Sequence, residues 1–234
     1  MIVRPARPED APVVAAVFAS LEEALLGSST FDVEDVRGWW QTVDVERQTW
    51  LVEEDGTLLA AAGCQVLGEL ASSLGAVRPS AQGRGLGARL LELVEGRAAA
   101  DGASRLQAWA LAADDRATGL FRARGYREVR RFWGMAIELD RDLPEPEAPV
   151  EAVREEDAPV VHAALEEAFE DHWEPHPEPF EAWWARQRAK PAFDLTLWFV
   201  IRQDGEVAGA VRNEVRSTGG YVAALGVRRA YRGR

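Results

Sequence analysis

The chain has 234 residues, 47% of them apolar and 28% charged, which exceeds one average domain of roughly 150 residues and gives enough apolar material for a buried core. Its 39 acidic residues outnumber 27 basic ones for a net charge of −12, so neither nucleic acid nor an anionic membrane is expected as a partner, and any basic patch has to be local. Cys64 is the single cysteine, which rules out an intrachain disulfide and a cysteine zinc cluster. Together with the lack of a signal-type apolar core after Met1, this makes the cytoplasm the expected compartment.

Pro8 followed by Glu9 and Asp10 reads as the start of a helix, because proline presets φ there and acids complement the positive end. Val14, Val17, Phe18, Leu21 and Leu25 form its apolar face. A second helix carries Trp39-Trp40. Neighbours on a helix point about 100° apart, so one indole can fill the core while the other faces a cleft, and Trp40 is a candidate for lining an acceptor site. Thr49 to Glu53 and Thr57 to Val66 flank Asp55-Gly56, a hairpin signal. Ser73 to Val77 leads into the glycine-rich stretch Gln82-Gly83-Arg84-Gly85-Leu86-Gly87-Ala88 and a helix burying Leu86, Leu90, Leu93 and Val94. A strand from Arg105 to Leu111, a short helix and further strands up to Leu139 complete the unit.

This order then begins again. Glu9 to Val14 returns unchanged as Glu156 to Val161, Trp39-Trp40 as Trp183-Trp184, Trp50-Leu51-Val52 as Trp198-Phe199-Val200, and Asp55-Gly56 as Asp204-Gly205. Val77-Arg78 with Gln82-Gly83-Arg84 is matched by Val227-Arg228 with Arg232-Gly233-Arg234. The repeat predicts a mixed α/β chain with a first domain over residues 1–140, a proline- and acid-rich linker over 141–149, and a second copy over 150–234. The first copy runs 55 residues from Arg84 to Leu139, so the second is expected to be truncated after its glycine loop, with a comparable segment to follow.

Glycines at a strand-to-helix junction let the backbone approach a ligand, and the helix N-terminus offers unpaired N–H groups to a phosphate. Arg78, Arg84 and Arg89 lie there with no acid between them, which suits a pyrophosphate; a turn serving only tight packing is the alternative. Gln82-Gly83-Arg84-Gly85-Leu86-Gly87, after a strand ending Val-x-Pro, resembles the Q/R-x-x-G-x-G/A signature of the GNAT N-acetyltransferase superfamily. Asp114, Ala117, Leu120, Phe121, Gly125 and Tyr126 resemble its N-x-x-A-x-x-L-Y-x-x-x-G-F pattern, with Asp114 in place of asparagine and Phe121 in place of tyrosine. The duplicated arrangement is similar to tandem members such as mycothiol synthase.

The resemblance implies a tandem acyl-CoA N-acyltransferase fold and acetyl-CoA as cosubstrate, without a metal. The cofactor would lie in the splay between the strand ending at Val77 and the strand from Arg105. Val77, Gln82, Gly83, Arg84, Gly85, Leu86, Gly87, Ala88 and Phe121 would bind it in the first copy, and Val227, Arg232, Gly233 and Arg234 in the second. Phe121 cannot supply the proton that the family's tyrosine gives to the leaving thiolate, and Ala71 occupies the usual position of the base. Glu69 is the nearest acid, for which an exposed turn carboxylate is the leading reading. Ser72 with Ser73 can hold a water, and Tyr221 stands at the base position of the second copy, where strand packing is the other reading. Between Leu143 and Glu181 there are thirteen acids and one basic residue, Arg154. Within that stretch Asp171, His172 and Trp173 suit a cationic amine, or form an acidic solvated surface. The expected activity is acetyl transfer from acetyl-CoA to a primary amine of a small acceptor, with the second copy at work and the first kept for binding or support. An acyl-CoA-binding regulator or scaffold, silent in both halves, is the alternative.

Overall fold

Helix α1 (Ala11–Leu26) is entered through a 3-10 turn, Pro8–Asp10, and stops at Gly27, whose φ of +82° lets the chain reverse. The computed structural model describes residues 1–140, 144, 149–172, 177–216 and 219–233. They fall into two compact units, Met1–Trp133 and Gly134–Arg234.

In the first unit, β1 (Ile2–Arg4), β2 (Thr49–Glu54), β3 (Thr57–Leu67), β4 (Leu70–Val77) and β5 (Arg105–Ala108) form a sheet in that spatial order. All pairs are antiparallel except β4 with β5, which is parallel. Asp55 and Gly56 both take positive φ, 50° and 74°, the geometry a two-residue hairpin needs. α1 and α2 (Val33–Trp40) cover one face, where Val14, Val17, Phe18, Val36 and Trp40 pack with Leu51, Leu58 and Ala76. The short α3 (Val45–Gln48) leads into β2. α4 (Leu86–Ala100) covers the other face and sets Leu86, Leu90 and Val94 against Val52, Ala60, Ala62 and Cys64. Leu91, not Leu93, joins the buried side of α4. α5 (Asp115–Ala123) is capped by Asp114, whose side chain accepts from the Ala117 N–H. The strands expected after α5 are not formed: residues 127–139 carry no ladder, and Trp133 and Met135 are 84% and 93% exposed. Alternating apolar residues make a strand only where a partner edge supplies the hydrogen bonds.

The second unit contains β6 (Glu151–Ala152), α6 (Ala158–Phe169), α7 (Phe180–Arg188), β7 (Trp198–Gln203), β8 (Glu206–Arg216) and β9 (Gly219–Val227), with sheet order β6-β7-β8-β9. Its ladders follow those of β1 to β4: Thr49 opposes Gly63 in one and Trp198 opposes Arg212 in the other. A bulge at Val52/Glu53 is matched at Ile201/Arg202. The positive φ of Asp55 and Gly56 recurs at Asp204 and Gly205, 54° and 82°. This register pairs Trp198 with Thr49 rather than with Trp50, one residue away from the match of letters, because a strand position is defined by the face it points to. A further irregularity at Arg212/Asn213 puts one extra residue into β9, and the spacing between the units changes from 149 at the hairpin to 150 at the loop.

The polar anchor of the sheet edge is repeated with its charges exchanged. In the first unit Arg4 bonds Asp10 (2.7 Å) and Glu53 (2.6 Å). In the second, Arg202 stands at the position of Glu53 and bonds Asp157 (2.8 Å) and Glu151 (3.2 Å). Either arrangement leaves one arginine between two carboxylates, so the exchange is electrostatically neutral. Core filling differs more. Trp39 lies so close over Gly63 that a Cβ there would be 2.7 Å from its ring. At the matching position Arg212 is only 9% exposed, its guanidinium 5.6 Å and 5.1 Å from the ring centres of Trp183 and Trp198 and bonded to Gln187 Oε1 at 2.6 Å.

Candidate functional site

The parallel ladder between β4 and β5 runs from Leu70↔Arg105 to Ser73↔Ala108 and ends there. Beyond it Leu74 to Val77 have no partner on the β5 side, so the strands part and leave backbone polar groups facing a gap. β4 is followed at once by a 3-10 turn, Pro79–Ala81, and by Gly83 and Gly85, with φ of +78° and +79°. Gly85 is the N-cap of α4, and the first bond of the helix runs from Arg89 N–H to Gly85 O. The N–H groups from Gly83 to Ala88 therefore have no acceptor among the described residues, and the positive end of α4 points them outward.

Gap and loop open into one cavity of about 460 Å³. Val77, Gln82, Gly83, Gly85, Leu86, Gly87 and Ala88 line it, joined by Leu120 and Phe121 of α5, and it continues past Leu74 to Ala76 as far as Phe18, Leu21, Glu22 and Phe31. Arg84 does not line it. Both oxygens of Glu54 receive Arg84 Nη2 at 2.8 Å. Arg78 Nε donates to Leu58 O at 2.7 Å, and Arg89 pairs with Glu92 at 3.2 Å. The three arginines that sequence places beside the loop are thus paired with protein neighbours, and the loop's unpaired donors among the described residues are backbone N–H groups. Arg116, two residues beyond Asp114, lines the cavity with no hydrogen-bond or ion-pair partner among the described residues. Sequence reading missed it; its nearness to the start of the second motif was the available signal. Asp114, 8% exposed, lines the same wall.

Residues 15–126 match the model of the acetyltransferase (GNAT) family. The matched stretch lies wholly within the first unit, which is therefore similar to the GNAT acetyltransferases. Acetyl-CoA is the cosubstrate of these enzymes, and the glycine cradle, the free N–H groups and the parted strands fit it: Gly83 and Gly85 leave open space beside the loop where a side chain would otherwise stand. A GCN5-related N-acetyltransferase from Sphaerobacter thermophilus is similar over 100% of this chain and 78% of its own, with 29% identity and a TM-score of 0.83. The protein yncA from Salmonella typhimurium, solved with its cofactor acetyl-CoA, covers 60% of this chain and 87% of its own at 19% identity and a TM-score of 0.47. A ribosomal-protein-alanine N-acetyltransferase from Brucella melitensis covers 56% and 86% at 20% identity and a TM-score of 0.47. No curated protein matches by sequence. Among the described residues no group of three histidine, cysteine, aspartate or glutamate side chains is placed to hold a metal, and no helix is long and apolar enough to cross a membrane.

In the first unit the expected catalytic candidates Glu69 and Ser72 do not line the cavity. Glu69 precedes β4, at the opposite end from Val77, roughly 26 Å along the strand at ~3.3 Å per residue. Its carbonyl accepts from the Ser104 and Arg105 N–H groups, and Ser104 Oγ lies 3.4 Å from its carboxylate; it is a turn residue. Ser72 Oγ accepts from Trp109 Nε1 at 3.2 Å, while Ser73, which does line the cavity, donates to Gln107 O at 3.2 Å. Phe121 packs against Tyr126 with ring centres 5.4 Å apart. The Tyr126 hydroxyl turns away to Glu95 Oε1 at 3.2 Å, and burial pushes its phenol well above the usual range, helped by that carboxylate. No tyrosine lines the cavity.

The acceptor candidates fare no better. Trp40 is buried in the core of the first unit and absent from the cavity wall; Trp39 packs on the same core, over Gly63 and edge-on to Phe18 with ring centres 6.3 Å apart, so neither indole lines the cavity. Asp171 is clamped by Arg232 Nη1 at 3.0 Å and Arg229 Nη2 at 2.7 Å, which hold its carboxyl below the usual range and neutralise the charge it would offer an amine. His172 is exposed, its ring 5.9 Å from that of Phe169. Tyr221 is half exposed on β9, under the Arg216 guanidinium at 3.9 Å. Arg232 folds back to bond Val227 O (2.9 Å) and Ala168 O (3.0 Å), with Gly233 beyond it at φ +72°. Val227 is partly exposed at the end of β9. Trp173 and Arg234 lie outside the described residues. The cavity of the first unit draws on α4, β5 and α5, and these have no counterpart among the described residues of the second.

Proposed function

We propose that this protein acetylates the primary amine of a small cationic acceptor and that the transfer takes place in the cavity of the first unit, not in the second as the substitutions at Phe121 and Ala71 suggest. The observation that carries this is the continuity of one cavity from the unpaired N–H groups of α4, through the gap between β4 and β5, to a carboxylate-bearing apolar end on α1. Bound there, acetyl-CoA supplies an activated acetyl thioester. The N–H groups of Gly83 to Ala88 hold its pyrophosphate, Arg116 adds a positive charge beside it, and the free edge of Leu74 to Val77 takes the amides of its arm. Because a thiol ionises near pH ~8.5, a site with Phe121 in place of a phenol still releases a tolerable leaving group.

We read residues 150–234 as a second, partial copy of the same fold behind the linker at 141–149. The matched ladders, the matched bulge and the charge-exchanged arginine anchor support this reading, as does the similarity of the Sphaerobacter structure over the whole chain. A silent acyl-CoA-binding regulator is the second reading, favoured only by the lack of a phenol at Phe121.

Calorimetry with CoA tests the site. Gly85→Asp puts bulk and negative charge into the cradle at a φ of +79° and should weaken CoA binding at least tenfold. Gly85→Asn, which tolerates that φ without the charge, should bind more tightly than Gly85→Asp. Unchanged affinity in a folded Gly85→Asp protein refutes the site. Acetylation of an amine panel by the full chain, read by mass spectrometry, separates enzyme from regulator.

A further inference from the structure

At the end of the cavity remote from the glycine loop, helix α1 and the chain entering α2 bring a carboxylate and an apolar wall together. Phe18, Leu21, Glu22 and Phe31 all line this end. The rings of Phe18 and Phe31 stack, 4.6 Å apart and 18° from parallel. Glu22 is held from one side only. Its Oε2 accepts from Ser29 Oγ (2.8 Å) and from the N–H groups of Thr30 (3.1 Å) and Phe31 (3.3 Å), which fixes the side chain on the loop. Its Oε1 has no hydrogen-bond or ion-pair partner among the described residues. The other charged cavity residues, Asp114 and Arg116, are at the α5 wall, so the α1 end is apolar with one oriented negative charge.

The geometry points to Glu22 as the residue that selects the acceptor: its Oε1 binds the ammonium of a small amine whose aromatic or branched apolar body rests on Phe18, Leu21 and Phe31. This rests on reading the cavity as an acetyl-transfer site and deepens it by naming the acceptor class, monocationic arylalkyl- or alkylamines. Amino acids are disfavoured because their carboxylate would meet Glu22, and amino sugars because their hydroxyls would find no partners on the apolar wall. A charge-assisted hydrogen bond of this kind is worth roughly 10- to 100-fold in affinity.

The test is a set of calorimetric titrations of the full chain, with and without saturating CoA, using 2-phenylethylamine and its neutral isostere 2-phenylethanol as probes. The amine is expected to bind at least tenfold more tightly than the alcohol. Glu22→Gln should remove that preference while leaving affinity for the alcohol and for CoA within twofold. Ser29→Ala, which takes one bond from Oε2 but leaves the charge, should keep amine affinity within threefold. The inference is overturned if the wild-type chain does not prefer the amine, if Glu22→Gln retains the preference, or if Ser29→Ala loses as much as Glu22→Gln, since the carboxylate would then serve only to staple the loop. Failure of the wild-type chain to bind CoA would instead sink the proposed function. A binding preference abolished in a Glu22→Gln protein that still binds CoA therefore speaks to the acceptor alone.

Discussion

Arg84 sits inside the glycine signature, yet its guanidinium is paired with Glu54, whereas Arg116, outside the signature, stands at the cavity without a hydrogen-bond or ion-pair partner among the described residues. Arg84 is turned to Glu54 and does not line the cavity, so Arg84→Ala should change CoA affinity less than threefold, while under the proposed function Arg116→Ala should weaken it about tenfold through a lost phosphate contact; calorimetry ranks the two. Gly63 is required for a different reason. A Cβ there would lie 2.7 Å from both Gln48 O and the Trp39 ring, and Gly63→Ala should cost about 1–3 kcal/mol, read as a lowered thermal midpoint. Its neighbour Cys64 is fully buried on the opposite face, and burial pushes its thiol up to about 11. Alkylation of Cys64 at pH 8 should accordingly follow unfolding, and rapid labelling of the native protein would contradict the packing of α4 on β3.

At the scale of elements, the parting of β4 and β5 makes the site. Four residue pairs of parallel ladder hold the strands at one end, and past Ser73 the β4 backbone has no partner on the β5 side. β1 is tied to β2 by the Arg4 anchor, and Arg4 holds the Asp10 carboxyl well below the usual carboxylate range. A carboxyl depressed in the folded state contributes stability that is present above its unfolded value near ~3.9 and is lost as pH falls through the lower folded value. The unfolding midpoint should therefore drop on acidification below pH ~4. Asp10→Asn should lose about 2 kcal/mol at neutral pH and show a flatter acid limb in urea titrations at stepped pH.

For the whole molecule, both core clusters of the first unit and its entire cavity draw on residues before Tyr126. Residues 1–133 expressed alone should fold and bind CoA within threefold of the full chain, and under the proposed function they should also transfer acetyl groups. If the isolated unit binds CoA but no amine is acetylated by it while the full chain is active, the second unit contributes to the reaction.

The order of elements, the Asp55-Gly56 hairpin, the apolar face of α1 and the glycine loop were legible in the sequence because each depends on neighbours in the chain: helix spacing, a two-residue turn, a strand-to-helix junction. The recurrence of the Asp-Gly hairpin at Asp204-Gly205 was legible for the same reason, as a repeated local pattern. Tertiary structure decided what depends on distant partners. It assigned Arg84 to Glu54, turned Trp40 into the core, left residues 127–139 without a ladder, and set Glu22, whose letter marks only a polar helix position, against Phe31 at the end of the cavity. Charge and hydroxyl groups take their role from whichever groups the fold brings within hydrogen-bond reach, and nothing in the local pattern of residues names those partners.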